Sequence, residues 1–396
     1  MRSCSFYTPT LILMAIAAGI CSGSNYFSQP LIHSIALSLA RPETSVAWIP
    51  TCAQISYAIG LLVLMPLGDL LEKRQLVVIL MVLAACGLLI TGSADRLEWM
   101  IVGTILTGLF SVSAQLLLPL AASLVPITQS GRVVGFLISA LMLGILLARS
   151  LSGLASTLWH WHWQIIYVIS GIALLMIAFM LYRKLDVFPA TQRQSYMQTL
   201  VSIPVLLKNS PCLARRAALG FLIFASVSMV FTTMSLLLAP APYHFSDFSI
   251  GLFGFVGILG TLVANLAGHH LDERNVHWIS YISAGGFIGS WILFLFLPVS
   301  FIFYILANLL IYASLSALHV TNQSIVFRLN QVLKSRFNAI YMTAYFFGGA
   351  LGTAIGSYAW RHSGWHGVCL IGIGFGGLTL WIAYLDSKST LLSKQA

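Results

Sequence analysis

Long apolar runs separated by short polar gaps dominate this sequence and decide what it can fold into. A helix that crosses the hydrocarbon core of a membrane needs about 20 mostly apolar residues. Runs of about that length recur from one end of the chain to the other. They predict twelve membrane-spanning helices, near residues 8–28, 46–67, 76–94, 98–125, 133–157, 163–183, 217–239, 248–268, 277–297, 301–326, 337–359 and 364–385.

The small share of charged residues supports the same fold class. Charged residues make up 8% of the chain, against about 25% in soluble domains. The net charge of +10 would fit a nucleic-acid partner, but the basic residues stand in the gaps between apolar runs, where they report membrane topology. We therefore predict an all-α membrane protein that binds no nucleic acid and no cofactor.

The distribution of Lys and Arg predicts the orientation. With the N terminus in the cytoplasm, sixteen of the 20 basic residues fall on the cytoplasmic side. Arg41, Arg96 and Arg361 fall on the outer side, and Arg149 lies inside a span. Because cytoplasmic loops carry an excess of Lys and Arg, we expect both termini in the cytoplasm and a multi-pass location in the inner (plasma) membrane.

The longest gap is basic and divides the chain. It predicts an N-terminal six-helix bundle at residues 1–183, a cytoplasmic linker at 184–214, and a C-terminal six-helix bundle with a short cytoplasmic tail at 215–396. Within the linker, residues 195–209 are expected to form a short surface helix.

A short polar phrase occurs twice, once in each half. GDLLEKR at residues 68–74 is echoed by GHHLDER at 268–274, with Gly, Leu, an acid and Arg at the same relative places. At an offset of 204, Arg132 corresponds to Arg336. Two parallel six-span repeats are typical of one transporter fold.

The chain thus resembles the major facilitator superfamily. Its first phrase is similar to the family signature Gly-x-Leu-x-Asp-Arg-x-Gly-Arg, with Gly68 and Leu70 in place and Glu72 standing for the Asp. The resemblance implies two halves that rock around a cavity at the membrane midplane.

The resemblance also implies that the repeated loops latch the two halves together on the cytoplasmic side. The alternative is that these charges only set topology and the glycine only forms a turn. The implied latch comprises Gly68, Asp69, Glu72, Lys73 and Arg74 against the region of Arg336, and Gly268, Asp272 and Arg274 against the region of Arg132.

Arg149 is the charge that falls within a predicted span. All ten acidic residues fall in loops or at span ends, so the sequence offers it no obvious carboxylate at the same depth. A charge at this depth is costly and usually functional. It is expected either to face the cavity and attract an anionic group, or to snorkel toward hydroxyls such as those of Ser150 or Ser152.

Other polar side chains fall at mid-membrane depth in spans 1, 4 and 10. In the family these spans help to line the cavity, so the resemblance implies substrate contacts; hydrogen bonds between helices are the alternative. His319 is the candidate proton carrier, because imidazole titrates near neutral pH. With Arg149, the candidate substrate residues are Asn25, Tyr26, Gln29, Gln115, His319, Asn322 and Gln323.

The remaining signatures bear on coupling. Gly144 and Gly153 match the family's antiporter signature in span 5, where Arg149 replaces a proline. Thr104 stands where a proton-coupling Arg is common in span 4. The Gly-Lys-Ser/Thr phosphate motif is absent from the sequence, and we recognise no catalytic set and no metal site.

The sequence therefore predicts a non-enzymatic secondary transporter. We expect a monomer in the lipid bilayer that exports a small organic solute, such as a drug-like compound, sugar or metabolite, in exchange for protons. The alternatives are uptake or uniport of an anionic metabolite with Arg149 as counter-ion, and a non-transporting sensor on the same fold.

Overall fold

A computed structural model describes residues 9–158, 162–187, 196–253, 255–257, 276–298, 300–329 and 334–393. The regular elements in these ranges are all helical. The prediction of an all-α protein is therefore confirmed for this part of the chain.

The main helices are numbered α1 to α15 in chain order. They are α1 Pro9–Gly23, α2 Ile32–Ser38, α3 Glu43–Val46, α4 Trp48–Val63, α5 Leu67–Leu70, α6 Lys73–Gly92, α7 Leu97–Phe110, α8 Ser113–Ser123, α9 Ile127–Leu158, α10 Gln164–Lys184, α11 Tyr196–Asn209, α12 Pro211–Leu238, α13 Val276–Leu295, α14 Phe301–Leu329 and α15 Lys334–Ser393.

Within the described residues, nine helical segments are long and apolar enough to cross a membrane. The last of them, Arg336–Lys388, has 53 residues and takes in both of the final predicted spans. Gly364 divides this segment, because its φ of 58° and ψ of −156° are not helical. Glycine tolerates such a positive φ since it has no Cβ.

Two of the twelve predicted spans are not among these nine helical segments. The span near 8–28 is helical as α1, then tightens into a 3-10 turn at Ser24–Tyr26 before the chain reaches α2. The span near 248–268 lies mostly outside the described residues. The total of twelve spans and the cytoplasmic position of the termini stay predictions.

The chain divides into two compact units. Unit 1 comprises Met1–Leu200 and Ala239–Gly251, and unit 2 comprises Val201–Leu238 and Leu252–Ala396. The helix predicted within the linker is present as α11.

Close backbone approach holds α12 against α15 in unit 2. A Cβ atom added to Gly348 would lie 2.0 Å from the Phe221 carbonyl oxygen, and one added to Gly352 would lie 2.0 Å from that of Ala225. In membranes, where the hydrophobic effect does not drive helices together, small residues allow this tight packing.

Helix α12 begins earlier than the predicted span at 217–239. Pro211 is its first residue, a position that suits proline because its missing N–H is not needed there. The second turn therefore carries Arg215 and Arg216, which the predicted span at 217–239 leaves outside the helix.

Candidate functional site

A buried arginine on α9 is the centre of the polar cluster of unit 1. The Arg149 residue is 2% exposed, and its guanidinium carbon lies 5.1 Å from the centroid of the Tyr26 ring. Tyr26 stands in the turn that ends the first span, so the break in that helix positions the ring. Attraction between a desolvated guanidinium and an aromatic face contributes about 2 kcal/mol.

The two serines predicted as snorkelling partners of Arg149 hydrogen-bond to the backbone. The Ser150 hydroxyl donates to the Gly251 carbonyl at 3.0 Å, and the Ser152 hydroxyl donates to the Arg149 carbonyl at 3.0 Å. The guanidinium itself is buried within unit 1. This arrangement holds a positive charge inside the unit, where it can attract an anionic group.

Asn25, Gln29 and Gln115 are buried in the same unit. Asn25 donates from Nδ2 to the Cys21 carbonyl at 3.2 Å. A cavity of about 10 Å³ lies beside Asn25, which is close to the space that one water occupies. Its lining is Ser24, Asn25, Ser28, Ala53, Thr91, Thr104, Thr107 and Tyr167.

A buried ion pair forms the base of the polar cluster of unit 2. The Arg216 and Asp386 side chains are 1% and 3% exposed, and an NH2 group of Arg216 donates to Oδ2 of Asp386. The second carboxylate oxygen accepts from Nε of Arg215 at 2.9 Å. A buried charge pair is stable only when further hydrogen bonds satisfy its remaining atoms.

Those further bonds extend the cluster toward α14. From NH1, Arg216 donates to Ser280 Oγ at 3.2 Å and to Asn322 Oδ1 at 3.0 Å. Nearby in the same unit, the Tyr341 hydroxyl lies 2.9 Å from His319 Nδ1. A carboxylate, a guanidinium and an amide are thereby connected inside unit 2, and a phenol and an imidazole form a second hydrogen-bonded pair there.

The predicted residues His319 and Asn322 thus have different partners, Tyr341 for His319 and Arg216 for Asn322. The His319 ring also packs on Tyr345, with the centroids 4.6 Å apart. Gln323 points to a different partner, because its Nε2 donates to Asn338 Oδ1 at 3.4 Å. Of the three polar residues predicted in span 10, Asn322 therefore belongs to the cluster around the ion pair.

Sequence analysis missed the two charged members of this cluster. The predicted spans at 217–239 and 364–385 end just short of Arg216 and Asp386. The Ser210–Pro211 pair was a usable signal, because Ser is favoured just before a helix and Pro at its first position. Reading the helix from Pro211 would have placed Arg216 in the second turn, although its partner 170 residues away gives no local signal.

The first repeated loop has a clear local structure. Glu72 caps α6, since its carboxylate accepts from the backbone N–H groups of Arg74 at 3.0 Å and Gln75 at 2.9 Å. The carboxylate thus satisfies the N terminus of its own helix. The Arg74 side chain donates to the Leu185 carbonyl at 3.0 Å and lies over Tyr182.

The other predicted latch residues are described to different extents. Gly68 is buried in α5, where a Cβ would meet Leu116 at 2.6 Å. Lys73 begins α6 and Arg336 lies in the first turn of α15, both half-buried. The side chains of Asp69 and Arg132, together with the whole of Gly268, Asp272 and Arg274, lie outside the described residues. Their latch role stays a prediction.

Apolar helices of membrane-spanning length, with charged and polar clusters buried among them, define a multi-pass membrane protein of the transporter class. Comparison with known protein families identifies the family within this class. The model of the Major Facilitator Superfamily matches residues 14–331. The chain belongs to this family.

Relatives and solved structures agree with this assignment. An uncharacterized transporter, YgaY, of Escherichia coli O157:H7 is 40% identical over 373 residues, which are 94% of each chain. A D-xylose-proton symporter shares the fold with a TM-score of 0.72 and 14% identity, over 95% of this chain and 96% of that one. A peptide transporter solved with sulfate gives a TM-score of 0.75 and 12% identity, over 98% and 95% of the two chains. The family and these names point to a transporter rather than an enzyme.

Proposed function

We propose that this chain is a proton-coupled secondary transporter that exports a small organic solute by alternating access. One observation carries the proposal: His319 is buried, its Nδ1 lies 2.9 Å from the Tyr341 hydroxyl, and the same unit buries the Arg216–Asp386 pair. Imidazole and carboxylate are the side chains that most readily exchange protons in coupling sites of membrane proteins.

The hydrogen bond between His319 and Tyr341 gives protonation a physical effect. An imidazole with a proton on Nδ1 donates to the phenol oxygen, whereas one with a bare Nδ1 accepts from the phenol hydroxyl. A change at Nδ1 therefore reverses the direction of this bond. Because His319 lies on α14 and Tyr341 on α15, the change alters a contact between these two helices.

The solute is proposed to contact the polar residues that the sequence predicts for the substrate cavity. These are Asn25, Tyr26, Gln29, Gln115, Arg149, His319, Asn322 and Gln323. Export in exchange for protons is supported by the partial antiporter signature that includes Gly144 and Gly153. Proton coupling is supported by the shared fold of the D-xylose-proton symporter.

The topology of the transporter is part of the same proposal. We propose twelve spans in an inner (plasma) membrane, both termini in the cytoplasm, a monomeric state, and latches formed by the repeated loops. The sixteen-to-three distribution of basic residues supports the orientation.

A second candidate function is uptake or uniport of an anionic metabolite. The observation that favours it is the burial of Arg149, whose guanidinium carries a permanent charge inside unit 1. In this case Arg149 serves as the counter-ion of the solute, and coupling to protons is not required.

Accumulation of a panel of labelled small organic solutes in cells tests both functions. Cells that make the protein are compared with empty-vector cells, each with and without a protonophore. Export predicts lower accumulation of at least one solute, with the difference abolished by the protonophore. We expect His319→Gln and Tyr341→Phe to abolish the protonophore-sensitive part.

Matched variants separate a specific role from a general defect. His362→Gln changes an exposed histidine, and Arg96→Gln changes an exposed arginine to be compared with Arg149→Gln. Higher accumulation of anionic solutes that depends on Arg149 and ignores the protonophore would replace the first proposal with the second. Transport that survives His319→Gln with full protonophore sensitivity would remove His319 from the coupling site.

A further inference from the structure

An open apolar cavity of about 350 Å³ lies in unit 2, where α11, α12 and α15 meet. All its lining side chains are apolar, among them Leu207 of α11, Ala218 and Phe221 of α12, and Leu378 of α15. The volume falls within the range of about 300 to 1,000 Å³ that is usual for ligand pockets. An apolar cavity of this size on a membrane protein suits a hydrocarbon chain.

The linker helix α11 places this cavity relative to the membrane. Met197, Val201 and Val205 are 64%, 60% and 52% exposed. Their spacing of four residues puts them on one helix face. A helix with an exposed apolar stripe lies in the boundary between lipid headgroups and acyl chains. Leu207, on the last turn of the same helix, therefore puts one edge of the cavity near that boundary.

The charges beside the cavity favour an anionic partner. Lys208 directly follows the lining residue Leu207, and Arg215 directly follows the lining residue Ala214. Residues 196 to 220 contain no acid. Asp386 pairs with both Arg215 and Arg216, so this end of unit 2 keeps an excess of positive charge.

We propose that the cavity binds an acyl chain of an anionic phospholipid from the leaflet in which α11 lies. The hydrocarbon fills the apolar space, and the phosphate lies at the level of Lys208 and Arg215. Each basic residue near an anionic headgroup strengthens binding by about fivefold. The site is separate from the solute residues and goes beyond the transport activity.

Native mass spectrometry of the full chain in detergent tests the proposal. The protein is titrated with phosphatidylglycerol and, separately, with phosphatidylcholine of the same acyl chains. We expect tighter binding of the anionic lipid. Ala218→Leu fills the cavity and should weaken the binding of phosphatidylglycerol at least tenfold. Lys208→Gln should weaken it by about fivefold and leave phosphatidylcholine unchanged.

Control variants on α10 match both changes. Ala173→Leu enlarges a half-buried alanine and Lys184→Gln neutralises an exposed lysine, neither of which lines the cavity, and both should bind phosphatidylglycerol as the unchanged chain does. If Ala218→Leu does not fold, the exposed substitution Lys208→Gln still decides the question. Equal binding of the two lipids, or unchanged binding in Lys208→Gln, would overturn the proposal. Full displacement of the lipid by glycerol phosphate would also overturn it, because an anion site without an acyl chain would explain the result.

Discussion

The buried ion pair of unit 2 gives the most direct test of the structure. In Asp386→Ala the carboxylate that accepts from both Arg215 and Arg216 is lost. Arg216 is 1% exposed at its side chain, so its charge has no route to water without movement of α12. Removal of one partner of a buried ion pair costs about 3–5 kcal/mol. We expect the free energy of unfolding to fall by this amount.

The unfolding of the full chain by SDS in mixed micelles measures this loss through tryptophan fluorescence, since the chain has 10 Trp residues. The double variant Arg216→Met, Asp386→Leu removes both buried charges and replaces them with apolar groups. Such replacements are often neutral or stabilising. The double variant should therefore be more stable than Asp386→Ala. Arg215, whose side chain is 26% exposed, can turn its charge toward solvent.

An exposed ion pair in unit 1 supplies the control. Arg41 and Glu98 lie 3.5 Å apart with side chains 52% and 68% exposed. Glu98→Ala should cost less than about 1 kcal/mol, because surface pairs contribute little. The reasoning fails if Asp386→Ala costs no more than Glu98→Ala. It fails equally if the double variant is as unstable as the single one, since the loss would then not come from an uncompensated charge.

Three further predictions use the same unfolding measurement. Gly352→Ala should lower the free energy of unfolding by about 1–3 kcal/mol, because its Cβ would lie 2.0 Å from the Ala225 carbonyl oxygen. In the control Gly374→Ala, the added Cβ would have no atom within 4 Å and the change should be close to neutral. Equal losses in the two variants would contradict this packing. Gly364→Ala should lose about 1–2 kcal/mol, because an L-residue at φ 58° is strained, and an unchanged stability would refute the kink. Trp291→Phe removes a 2.7 Å hydrogen bond to a serine hydroxyl, a loss of about 0.6 kcal/mol from that bond alone; a more stable variant would argue against the bond.

Local signals in the sequence were sufficient for much of the fold. The lengths of the apolar runs predicted most of the spanning helices. Glu72 directly precedes the apolar run of α6, a position compatible with the N-cap that it forms. Pro30, a residue that disfavours a continuous helix, lies in the turn that precedes α2. Each of these features depends on residues within a few positions of one another.

Contacts between distant segments were beyond the same analysis. The sequence showed Arg149 inside a span, but it did not predict that the guanidinium would lie over Tyr26. It also did not predict the Arg216–Asp386 pair, because the edge of an apolar run does not fix where a helix begins. A single sequence does not show which helices pack against each other, and the polar clusters depend on that packing.

The distance along the chain between Arg216 and Asp386 has a consequence for biosynthesis. The ribosome makes the arginine 170 residues before the aspartate, a delay of roughly 10 to 30 s at 5–20 residues per second. During this interval α12 must enter the bilayer with the charge of Arg216, although the Asp386 carboxylate that pairs with it has not yet been synthesised. Insertion of the last helix then neutralises it. A nascent chain that stops before Asp386 leaves an uncompensated charge in the membrane, a feature by which quality-control proteases can distinguish it from a finished transporter.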